Sequence, residues 1–169
     1  MEPHNPTATP TMVITEPLAR RFIGTYTDFL GSLLPDSAKA GKRTTQWLVT
    51  ARKRFLGNQS RLQAYVRAHP QADAAMLEAI AALRIRSWIY LKDTTAYSVW
   101  MDEAGERAYG VLGLTQRVRD LCQGGSGVIL TAGLMPLGGR WVTDGLVENL
   151  AWLGPNYRRD LKQAYNRLR

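Results

Sequence analysis

Cations dominate the chemistry this sequence could perform. Residues 37–72 hold Lys39, Lys42, Arg43, Arg52, Lys53, Arg54, Arg61 and Arg67 with no acid among them. The tail from residue 157 carries Arg158, Arg159, Lys162, Arg167 and Arg169 against Asp160 alone. The remaining segments are mildly acidic, so the net charge of +8 over 169 residues is concentrated in two places. A focused positive field attracts polyanions, and nucleic acid is the commonest polyanion in a cytoplasm. The expected phosphate-contacting set is Lys42, Arg43, Arg52, Lys53, Arg54 and Arg61. Arg158, Arg159 and Lys162 would extend it if the last helix folds back beside them. Phosphate contacts position a polymer without reading its sequence. The plainer use of the same residues is a solubilising surface, or one that complements an acidic protein partner.

Other reactive groups are sparse. Gly124-Gly125-Ser126-Gly127 is glycine-rich, but a phosphate loop needs a strand before it and a Lys-Ser/Thr opening a helix after it, so a flexible connector is expected. Cys122 falls near the C-terminus of a short predicted helix, where the dipole disfavours a thiolate, and His69 stands next to Pro70 in a basic neighbourhood; a buried inert thiol is expected. Asp93, Asp102, Glu103, Asp144 and Glu148 are the acids available for a metal-dependent nuclease. Asp93 and Asp144 each follow an apolar strand and could meet across a sheet. Turn capping explains both without catalysis. Five tryptophans stand at 47, 88, 100, 141 and 152. Core packing is their default, although Trp100 and Trp141 with Arg140 could form a stacking platform for bases.

Composition narrows the classes. The chain is 45% hydrophobic and 21% charged, enough for a real core. It lacks the run of roughly 18 apolar residues a membrane span needs. The first residues, rich in Pro and Thr, lack the basic and apolar regions of a signal peptide. One cysteine and two histidines make neither a disulfide framework nor a zinc-finger spacing. A cytoplasmic protein without membrane segment, metal or cofactor is expected; the charge pattern does not fix an oligomeric state.

The elements that must position these groups follow from periodicity. Residues 1–14 read as a disordered arm. Thr15 is a helix N-cap with Glu16 and Pro17 in the first turn, and Leu18, Phe22, Tyr26, Phe29, Leu30 and Leu33 line one face up to Pro35. A helix over Thr44–Leu56 has Trp47, Leu48, Ala51 and Phe55 inward and Arg52, Lys53 and Arg54 as a solvated ridge. Ser60 and Asp73 cap two more short helices, completing a helical subdomain over 15–84. From residue 85 the flavour is β-branched and aromatic. Strands are expected over 85–91, 94–101, 107–112, 128–134 and 140–143, then a short apolar stretch over 146–153 and a closing helix after Gly154-Pro155. Connections this short favour antiparallel pairing. The expected fold is α+β: a helical array, a small antiparallel, strongly bent sheet or half-barrel over 85–169, and a C-terminal helix, packed as one unit.

Tyr90-Leu91-Lys92-Asp93, Tyr97-Ser98-Val99-Trp100, Ala108 to Thr115 (AYGVLGLT), and Gly139-Arg140-Trp141-Val142-Thr143-Asp144-Gly145-Leu146 together resemble a β-rich module of uncharacterised bacterial proteins. The resemblance covers residues 88–155 and implies a bent sheet with no established chemistry. The functional expectation is therefore non-enzymatic binding of nucleic acid, with a protein adaptor and a metal-dependent nuclease as the other readings.

Overall fold

The computed structural model describes residues 12–56 and 58–169. Five helices come first: α1 (Glu16–Ser32), α2 (Asp36–Lys39), α3 (Thr44–Phe55), α4 (Gln59–Ala68) and α5 (Ala74–Ala81). Thr15 occupies the N-cap of α1, with Pro17 just inside the helix, although its hydroxyl makes no cap bond. Asp73 does cap α5, accepting from the backbone N–H of Met76, and it also takes both a 2.9 Å and a 3.1 Å bond from Arg21 of α1. Ala19, Phe22, Tyr26, Phe29 and Leu30 recur at three- and four-residue spacing and are buried. Phe29 meets Phe55 of α3 edge-on at 5.0 Å, a favoured aromatic geometry that fixes how the two helices cross.

The strands are β1 (Arg84–Asp93), β2 (Ser98–Met101), β3 (Ala108–Leu112), β4 (Val128–Leu137), β5 (Arg140–Thr143) and β6 (Glu148–Trp152). The short helix α6 (Val118–Leu121) precedes β4, and α7 (Pro155–Leu168) closes the chain. The sheet is mixed and six-stranded, in the order β1-β2-β3-β5-β4-β6 with β4 also pairing back onto β1. Most pairs are antiparallel. The expectation of a wholly antiparallel sheet fails at β3 and β5, which run parallel through Val111–Trp141 and Leu112–Val142. The reason is connectivity: α6 and the long β4 return the chain before β5 is laid down, so β5 meets β3 with the same direction. The sheet bends strongly because β1 carries a bulge between Tyr90 and Lys92, which lets one strand serve β4 along residues 84–90 and β2 along 89–93. β4 reaches further than residue 134, to Leu137, and joins β5 through Gly138-Gly139. Both glycines have positive φ, as a two-residue hairpin demands.

Alternate strand residues go to opposite faces. On the concave face Trp88, Tyr90, Trp100, Tyr109, Val111, Val128 and Leu130 form one cluster. Trp88 and Trp100 have no exposed surface, so the stacking platform expected of Trp100 does not exist. On the convex face Met135, Leu137, Val142 and Leu146 join the helical cluster of Phe22, Phe29, Phe55 and Ile80, so helices and sheet share a core. Elsewhere on that face Ile89, Leu91, Val99 and Met101 receive Leu161 of α7. Of the expected disordered arm, residues 1–11 lie outside the described residues. Its last three do not fit that expectation: Val13 bridges Gly113 in parallel, the Ile14 N–H donates to the Gly113 carbonyl at 3.0 Å, and Ile14 is buried in the helical core.

Candidate nucleic-acid interface

The cations of α3 divide by position on the helix. Arg52 follows Ala51 and precedes Phe55 by three residues, so it sits at the edge of the buried stripe rather than on an outer ridge. It is 1% exposed. Its Nη1 donates to Asp144 Oδ2 at 3.0 Å and to the Leu146 carbonyl at 2.6 Å, and its Nη2 donates to Glu148 Oε2 at 2.9 Å. Asp144 also accepts from Tyr26 Oη at 2.8 Å and from the backbone N–H of Gly133 and of Leu146. Burial and the adjacent carboxylate push the Tyr26 phenol well above its ordinary value, so it stays a donor. Arg52 therefore cannot contact phosphate. A buried guanidinium must be matched by charge and hydrogen bonds, and it takes them from the Asp144-Gly145-Leu146 turn. Lys53 is 64% exposed at its side chain and lies 3.2 Å from Glu148. Arg54 is exposed, reaching only the Leu33 carbonyl at 3.4 Å. Lys42, Arg43 and Arg61 are exposed and have no ion pair among the described residues.

The C-terminal cations occupy a different face. α7 rests on β1 and β2 through Leu161, whereas α3 rests on α1, so the two groups do not form one contiguous helix pair. The approach of α7 explains the glycine-rich segment. A side chain at Gly125 would overlap the ring of Trp152, and one at Gly127 would overlap the guanidinium of Arg158. The segment is thus a bed for two large side chains rather than a loose connector. Arg158 Nη2 donates to the Ser126 carbonyl at 2.7 Å, and no carboxylate among the described residues pairs with it. Trp152 approaches Gly125 with the end of its six-membered ring yet remains 60% exposed. Tyr157, in the first turn of α7, is also exposed. Arg159 approaches Asp160 at 3.7 Å in an open, weak pair, and Lys162 is exposed. An exposed indole at the end of β6, an exposed phenol in the first turn of α7 and the cations Arg158, Arg159 and Lys162 thus fall within residues 152–162, with Tyr157 on the Leu161 side of the helix and Arg159 on the other.

Asp144 and Glu148 converge on Arg52, but Asp93 and Asp144 do not meet. Asp93 accepts from Tyr90 Oη and Ser98 Oγ, both at 2.6 Å, and from Arg119 Nε at 2.9 Å. Burial alone would raise its pKa, but those three donors outweigh it and hold the carboxyl below its ordinary value. Asp144 answers to Arg52. The two acids thus serve separate arginines, and among the described residues no three His, Cys, Asp or Glu side chains form a group suited to a metal. Cys122 is buried and its thiol is pushed up to about 11 by burial, then by Asp93.

Sequence reasoning named Arg158, Arg159 and Lys162 as candidates and did not consider the exposed Trp152 and Tyr157 with them. The available signal was the pair Gly125 and Gly127, glycines that mark a close approach by something large. Trp141, expected beside Trp100 and Arg140, keeps other company. Trp141 is half-buried, Tyr109 meets it edge-on at 5.1 Å, and the Arg84 guanidinium lies 5.5 Å from its ring centre. Comparison with family models, curated proteins and solved structures finds no match to this chain.

Proposed function

We propose that the protein binds single-stranded nucleic acid on the surface formed by β6 and the start of α7. Trp152 and Tyr157 offer stacking faces, and Arg158, Arg159 and Lys162 supply the field that holds phosphates. The observation that carries this reading is the accessibility of Trp152: an indole is an expensive group to leave in water, and here it abuts Gly125 in a segment where Arg158 and Lys162 have no ion-pair partner among the described residues. Every base has a flat face, so such a site accepts many sequences, and a single strand presents bases that a duplex conceals. The strand order β1-β2-β3-β5-β4 with return to β1 is a small Greek-key arrangement of a kind that binds oligonucleotides elsewhere, an analogy of architecture alone. Lys42, Arg43, Arg54 and Arg61 extend the positive field without sharing the stacking site.

The test is fluorescence titration with a single-stranded oligonucleotide at several salt concentrations. Binding quenches tryptophan emission, and log affinity falls linearly with log salt. Trp152→Ala weakens binding by about 1–3 kcal/mol, the usual contribution of one base–aromatic stack. Arg159→Ala with Lys162→Ala flattens the salt slope by about 0.7 for each lost contact on a single strand. An absence of binding at low salt overturns the reading.

Docking on another protein, the second reading, is favoured by a groove of about 620 Å³ between α4 and α5, where Val66 is an exposed apolar side chain above the buried Leu62 and Leu77. It expects Val66→Asp to remove a stoichiometric partner that Trp152→Ala leaves bound.

A further inference from the structure

The stacking site at the start of α7 has a counterpart at its end. Leu168, one residue from the C-terminus, lines a cleft of about 380 Å³ together with Arg84, Arg107, Tyr109 and Trp141. Arg84 lies over the Trp141 ring and its Nη1 donates to Tyr109 Oη at 3.4 Å. Neither Arg84 nor Arg107 has an ion-pair partner among the described residues, and Glu106 is the one carboxylate on the cleft wall. A guanidinium already stacked on an indole offers its other face to a base, and the second arginine offers a phosphate contact.

Between the two ends three cations and an amide line the solvent side of α7. Arg159, Lys162, Asn166 and Arg169 recur at three- and four-residue spacing on the exposed side of α7, opposite Leu161 and Ala164. The 14 residues of α7 span about 21 Å. At about 3.4 Å per stacked nucleotide, that is the length of roughly six nucleotides.

We infer that one strand of nucleic acid lies along α7, with one base on Trp152 and another, some six nucleotides away, in the Arg84–Trp141 cleft. This rests on the proposed function and adds to it a path, a footprint and a second base site. The strand is selected by charge: that side of α7 and both ends are cationic, with Asp160 and Glu106 as the acids along the way.

The experiment is fluorescence anisotropy of end-labelled oligodeoxythymidylates and oligouridylates, as trinucleotide, hexanucleotide and dodecanucleotide, with the full chain. Affinity rises by about tenfold or more between trinucleotide and dodecanucleotide as the second stack engages. The double variant Arg84→Ala with Arg107→Ala, changed only at exposed positions, abolishes most of that rise. Trp152→Ala weakens all three lengths. Either polymer satisfies the inference, and the tighter one identifies its source as DNA or RNA. If trinucleotide and dodecanucleotide bind the wild-type chain equally, or if the double variant changes nothing while Trp152→Ala weakens binding, the path along α7 is overturned and the stacking site stands. If no oligonucleotide binds at low salt, the stacking site falls and the path falls with it.

Discussion

Two neighbouring cations on α3 show how little residue type says about role. Arg52 and Lys53 differ by one position, about 100° around the helix. The first is enclosed by Asp144, Glu148 and the Leu146 carbonyl, and the second touches Glu148 from solvent. Arg52→Met leaves Asp144 charged in a dry site and is expected to lower unfolding free energy by about 3–5 kcal/mol in urea titration. Lys53→Met, which loses only a screened pair, is expected to change it by less than about 1 kcal/mol. Asp93 gives a prediction in pH. Its ordinary value is 3.8 and its folded value lies lower, because Ser98, Tyr90 and Arg119 together outweigh the upward push of burial. As pH falls, the unfolded chain binds the proton first. The stability this group supplies is therefore fully present above its ordinary value and is lost as pH drops through the folded one. Urea midpoints measured from neutral pH down through that range fall more for the wild type than for Asp93→Asn.

Among the elements, α7 depends most on a partner distant in sequence. Its own propensity is adequate, with Pro155 in the first turn and a strongly amphipathic pattern around Leu161. What aims it is the Gly125–Gly127 segment, where Trp152 and Arg158 press against bare backbone. Gly125→Val puts a branched side chain into the indole's place. The expected outcome is a changed tryptophan emission maximum, because Trp152 leaves its seat, with a loss of about 1–3 kcal/mol in stability, the usual result of forcing atoms into a filled site. The longer helices were legible from periodicity, with Thr15 and Asp73 at their N-caps, whereas the single turn α2 went unread and α4 starts one residue before Ser60, with Asn58 rather than Ser60 at its N-cap. The same reading placed Arg52 outside, because a long basic side chain counts as polar in any pattern, and its acceptors lie some ninety residues away on a turn. The β3–β5 parallel pair was equally hidden: short connections argue for antiparallel neighbours, and these two strands are not neighbours in sequence. Trp152 was visible as a residue but not as an exposed one, since exposure depends on which side of Gly125 the ring lies.

At the scale of the whole molecule, the helical array and the sheet share apolar residues, with Met135, Leu137 and Val142 packed among Phe22, Phe29 and Ile80. Such sharing couples the two halves. Thermal unfolding followed by far-ultraviolet dichroism, which reads the helices, and by near-ultraviolet dichroism, which reads Trp88 and Trp100 in the sheet, is expected to give coincident transitions. Two separate transitions would show that the halves are held apart by more than the shared cluster indicates.

The contact between Arg52 and Asp144 also has a consequence in time. Ninety-two positions separate the two residues along the chain, so at about 5–20 residues per second a ribosome needs roughly 5–18 seconds to deliver the carboxylate after the guanidinium has been made. Through that interval the growing polypeptide carries helical segments and a cation still awaiting its counter-charge. Their oily faces, destined for Met135 and Val142, wait as well, and that is the stage of biosynthesis at which a chaperone has most to hold.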